Sequence, residues 1–145
     1  MAFRFPLATV LRYRESIERR EERALQRVQL EMARVSHQIE ELNAAIAQAH
    51  STTGRALHQP MPASHLQSML WETQAAEEKK KALKQTLQTL DQQREKQMKI
   101  YQAAHQDRET LINLFEQQRS AYEQGQTRAQ QKFLDDIFIA RRHRS

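Results

Sequence analysis

The sequence has no cysteine. That excludes a disulfide framework, a thiol nucleophile and thiolate metal ligation, and it fits a reducing compartment. Turn formers are nearly missing as well, with 2 Gly and 3 Pro in 145 residues, against a usual combined share of about a tenth. A chain so short of them does not build many strands and hairpins. Hydrophobic residues make up 39% and aromatics 6%, and the mean hydropathy is −0.88. A compact globule of this length needs more packing material, whereas a two-helix seam needs only about two residues in seven. No apolar run approaches the ~20 residues of a membrane span. Residues 1–16 are broken by Arg4, Pro6, Arg12 and Arg14, so no secretory leader is read there. The expected location is the cytoplasm, with no direct membrane insertion.

What the chain does have is charge (28%) and glutamine, 20 of them, which suit long solvated helix faces. Such a polar chain also invites a reading as disorder, but the apolar periodicity described next argues against it. The net charge of +5 is spread along the chain, as +1 over residues 1–50, +3 over 51–100 and +1 over 101–145. Its densest pieces are Lys79-Lys80-Lys81 and Arg141-Arg142-His143-Arg144. A nucleic-acid binder concentrates its basic residues in a stripe, often with interleaved aromatics. No such stripe is seen, and nucleic acid is not an expected partner.

A first helix is expected from about Leu7, with Pro6 placed where a missing N–H does no harm. From Val28 the apolar positions run Met32, Val35, Ile39, Leu42, Ile46 and Ala49, three heptads in which every seam position is apolar. Nearer the N-terminus the same phase puts Arg14 and Glu21 in the seam. The steps Glu21, Ala24, Val28, Met32 read 3-4-4, a local hendecad. Residues 51–64 hold Gly54, Pro60 and Pro62 and form the one break, with Ser64 as the expected cap of the next helix. The second seam reads Leu83, Leu87, Leu90, Arg94, Gln97, Tyr101, Ala104, Arg108, Leu111, Phe115, Gln118 and Tyr122. A further stripe follows at Ala129, Phe133, Ile137 and Ala140.

One short break between two periodic helices predicts an all-α fold of two long helices in an antiparallel coiled-coil hairpin. A single domain is expected, with helix 1 over about 7–57, the turn over about 58–64 and helix 2 over about 65–141. At 1.5 Å per residue the second helix outruns the first, leaving about 25–35 C-terminal residues without a partner in the hairpin. That overhang carries Phe133, Leu134, Ile137, Phe138, Arg141 and Arg142. Either it docks on another protein, or it bends at Gly125 and packs back as a third helix. A second candidate contact lies at the turn, where Met69, Leu70 and Trp71 sit together. Trp71 either caps the hairpin core or anchors a partner.

Catalysis is not expected. Gly54 and Gly125 are isolated, so there is no phosphate-cradling loop. The six histidines (37, 50, 58, 65, 105, 143) do not pair at i, i+4 beside a carboxylate in the manner of a helical metal site. Exposed helices offer no pocket that shifts a pKa. No cofactor, metal or catalytic residue is therefore named.

The two ends of the chain carry a more specific signal. FRFPLATVLRYRESIERREERAL resembles the opening of the flagellar export protein FliJ family, in Phe3, Arg4, Phe5, Leu7, Val10, Leu11, Arg14 and Glu15. The C-terminal QQKFLDDIFIARRHRS is similar to that family's ending, with Leu134, Asp135 and Asp136 in a Lys-x-Leu-Asp-acid patch followed by Ala-Arg. The resemblance implies a non-enzymatic stalk of the bacterial flagellar type III export apparatus, with roles in flagellum biogenesis, motility and chemotaxis. It implies as partners the export ATPase hexamer, the cytoplasmic domain of the membrane export gate protein and the export chaperones. The location it implies is the cytoplasmic face of the membrane. A stalk of a virulence-type secretion system and a homodimeric coiled-coil scaffold remain as alternatives.

Overall fold

The computed structural model describes residues 2–144. Helix α1 spans Ala8–Ala56 and helix α2 spans Ala63–Arg144. No strand occurs among the described residues. The two helices pack against each other as an antiparallel hairpin in which the second is the longer. Neither is long and apolar enough, among the described residues, to cross a membrane.

Proline chemistry sets three of the four helix ends. Pro6 lies in the turn ahead of α1, where Ala8 N–H donates to the Phe5 carbonyl at 3.1 Å and Leu11 N–H to Leu7 at 2.9 Å. After Ala56 the chain tightens into i→i+3 bonds, His58 N–H to the Arg55 carbonyl at 3.2 Å and Gln59 N–H to Ala56 at 3.1 Å. These satisfy carbonyls that the helix end leaves orphaned. Pro60 then forbids further helix. The Pro62 carbonyl accepts from His65 N–H at 3.0 Å and Leu66 N–H at 3.3 Å. Pro62 therefore takes the cap position, and Ser64, the expected cap, lies inside the first turn of α2. Gly54 does not interrupt α1.

The chain packs as two units. One comprises Glu21–Ile100 and includes the turn. Its core residues on α1 are Leu25, Val35, Ile39 and Ile46. Leu25 is only 7% exposed, and Ala24 is half-buried. The seam thus steps Glu21, Leu25, Val28, Met32, a plain 4-3-4. The hendecad read through Ala24 does not occur. A larger side chain one position on keeps the heptad phase and buries more apolar surface. On α2 the half-buried line begins earlier than Leu83, at Leu66, Met69, Thr73, Ala76 and Lys80. The Thr73 hydroxyl donates to the Met69 carbonyl at 3.0 Å, which lets a polar residue sit in the seam.

The other unit comprises the residues up to Arg20 and those from Tyr101 onward. Leu7, Leu11, Arg14 and Glu18 face a line on α2 that runs Tyr101, Ala104, Arg108, Leu111, Phe115, Gln118, Tyr122. The segment ahead of α1 is not helical, yet it packs. Phe5 is 8% exposed and meets Phe115 edge-on with ring centroids 5.2 Å apart. Phe3 lies 5.7 Å from Phe115 and 5.5 Å from Tyr122. This aromatic strap covers α2 as far as Tyr122. Beyond it every described residue of α2 is exposed except Ile137, which is half-buried. Helix α2 continues through Gly125, which has no positive φ. The alternative in which the C-terminus bends there and packs back does not occur. A single glycine costs a helix only about 1 kcal/mol, too little to break it without a proline or a capping conformation.

Candidate partner-binding surfaces

The C-terminal part of α2 is amphipathic and exposes large apolar side chains. Phe133 and Phe138 are 65% and 68% exposed, and Leu134 is also exposed. With half-buried Ile137 these sit at i, i+1, i+4 and i+5, an arc of about 140° at 100° per residue. Ile139 is exposed as well and falls on the opposite side, between the directions of Asp135 and Asp136. The last turn is Arg141, Arg142, His143 and Arg144. Cations there favour the negative end of the helix dipole. The expected surface residues thus lie together on one helix end, Arg141 and Arg142 closing its apolar arc.

The turn residues divide. Met69 is half-buried and lines an open groove of about 390 Å³ with Ile46, Ala49, Thr53, Thr73 and Ala76. Small side chains at those seam positions leave the space unfilled. Leu70 is exposed and Trp71 is 63% exposed, so the indole does not cap the core. Leu57, just past the end of α1, is exposed too. Reasoning from the sequence missed it, although a leucine directly after a helix and before two prolines has no regular element to bury it.

Charge inside the seam is arranged in complementary sets. Arg14 Nη1 donates to Asp107 Oδ2 at 3.2 Å. The Glu18 side chain is only 13% exposed. It accepts from Arg108 Nε and lies 3.4 Å from His105 Nδ1. Arg108 also donates to Glu109 at 3.1 Å. Its pKa is raised above the ordinary arginine value, chiefly by the hydrogen bond to Glu18 and against the opposing effect of burial, so the guanidinium stays charged. In the other unit, Gln97 Nε2 donates to the Glu21 carboxylate at 2.6 Å and to its carbonyl at 3.1 Å. On the outer face of α1, Arg34 donates to Glu31 and holds that carboxyl below its ordinary pKa. His37 lies 2.9 Å from Glu41 one turn on, an i, i+4 histidine–carboxylate pair not expected from the sequence.

These features define a class: an α-helical coiled-coil hairpin whose longer helix ends in an exposed amphipathic segment. The chain matches the family model described as flagellar FliJ protein over residues 3–145, and it belongs to that family. It is thus a flagellar export-related coiled-coil protein. Comparison with curated proteins and with solved structures gives no match.

Proposed function

We propose that this chain is a non-enzymatic component of the flagellar type III export apparatus, one that binds the export ATPase as a central stalk and links it to the export gate and the export chaperones. The observation that carries the reading is the helix over residues 123–144. It exposes Phe133, Leu134 and Phe138 beside Ile137 and ends in a basic turn. A lone helix is marginal in water. Covering each of these large side chains is worth about 1–2 kcal/mol before ordering costs. In a member of a flagellar export family, the ATPase hexamer is the partner assigned to this end. Leu57, Leu70 and Trp71 near the turn are assigned to a different partner, the cytoplasmic domain of the gate or a chaperone. Trp is enriched among residues that anchor protein contacts. The protein works in the cytoplasm, held at the membrane face by these contacts.

The test is binding to the export ATPase of the same organism, with hexamer formation and hydrolysis rate read together. Deleting residues 129–145 removes ATPase binding while the hairpin stays helical. Replacing Leu70 and Trp71 by alanine leaves ATPase binding intact and weakens the gate or chaperone contact. Undiminished ATPase binding by the truncated chain would refute the assignment of the C-terminal end.

A further inference from the structure

Three consecutive seam positions of α1 carry charge: Arg14, Glu18 and Glu21. The rest of its seam, from Leu7 to Ala56, is apolar or small. Apolar side chains at the charged positions would avoid the desolvation penalty of burying ions. In the hairpin each charge instead meets a complement on α2. Arg14 meets Asp107, Glu18 meets Arg108 and His105, and Glu21 meets Gln97.

The competing arrangement is written in the same sequence. Val28–Ala49 is a run of three unbroken heptads, which is what a parallel homodimer of α1 requires. In such a dimer each seam residue faces its own copy. Arg14 would face Arg14, Glu18 would face Glu18 and Glu21 would face Glu21. Self-pairing of α2 would likewise set Arg94 against Arg94 and Arg108 against Arg108. The charged block is satisfied in the intrachain pairing and repelled in the self-pairing, and specificity is the difference between the two. We infer that Arg14, Glu18 and Glu21 are specificity-determining residues that select α2 over the α1 of a second copy and, with the chain's own α2 tethered to α1 by residues 57–62, keep the protein a monomeric hairpin. This inference stands independently of which partner the C-terminal helix binds.

The test is the mass in solution by light scattering coupled to size exclusion, with helicity followed by circular dichroism. The unaltered chain runs at 17.1 kDa over a hundredfold range of concentration. The triple variant Arg14→Leu, Glu18→Leu, Glu21→Leu shifts to twice that mass with its helicity retained. The exchanged pair Glu18→Arg with Arg108→Glu stays at the single-chain mass, because the exchange restores the intrachain complement and preserves the like-charge clash between copies. Should the triple variant precipitate, Glu18→Leu with Arg108→Leu is read by sedimentation equilibrium and self-associates at least about tenfold more tightly than the unaltered chain. A dimeric unaltered chain, leucine variants that remain helical monomers, or a dimeric exchanged pair would each overturn the inference.

Discussion

Replacing Phe5 by alanine tests whether the non-helical strap holds the first turns of α1 in place. Phe5 is 8% exposed and stands edge-on to Phe115 at 5.2 Å. Burial of a phenylalanine side chain is worth about 1.5–3 kcal/mol, and the aromatic pair adds about 0.5–1.5. The strap packs against one helix only, so partial collapse recovers some of this. The expected loss is about 2–3 kcal/mol, toward the lower end of large-to-small core replacements. It falls on local stability, because the strap is anchored by few contacts. At about 1.4 kcal/mol per factor of ten, amide protection over residues 9–16 should drop about 30- to 150-fold. Native-state hydrogen exchange read by NMR measures this directly, with the amides of Glu21–Ile100 as the internal reference. A change below about threefold over residues 9–16, or an equal loss throughout Glu21–Ile100, would refute the argument that the strap clamps this end locally.

Two further substitutions test other parts of the account. Leu25→Ala should destabilise the protein by about 2–4 kcal/mol, whereas Leu30→Ala, at a residue 71% exposed, should stay within about 0.5 kcal/mol; urea unfolding followed at 222 nm separates them, and equal effects would contradict the 4-3-4 phase through Leu25. Gly125→Ala meets nothing within 4 Å of the added methyl and requires no change of φ, so it should stabilise the helix locally by about 1 kcal/mol, seen as slower exchange of the amides on either side of it.

The parts of this fold that could be read in the sequence are those in which local chemistry and periodicity agree. Pro60 and Pro62 mark the turn because proline removes a donor and constrains its predecessor. Val28–Ala49 and Leu83–Tyr122 repeat every 3.5 residues, so the two facing helices could be drawn before any contact was known. Ala24 and Leu25 are both apolar, and spacing by itself did not decide between them. The decision comes from volume at the partner helix, where the larger side chain gains more. Thr73, Ala76 and Lys80 are poor seam residues by composition, and they are half-buried because their neighbours on α2 are in phase with α1. The strap was invisible to periodicity, since Phe3 and Phe5 reach Phe115 and Tyr122 across the whole length of the hairpin chain. Trp71 shows the limit of composition. Its size fitted a core cap and an exposed anchor equally, and its place on the helix, two residues past the seam position Met69, turned it outward.

The central claim is that the helix over residues 123–144 is the docking element for the export ATPase. Hydrogen exchange of the full chain, alone and with the ATPase hexamer, tests it most directly. The account predicts that amides of 123–144 exchange quickly in the free protein, as in an unsupported helix, and slow by about tenfold or more in the complex. Protection that appears elsewhere on the chain, with 123–144 unchanged, would contradict it.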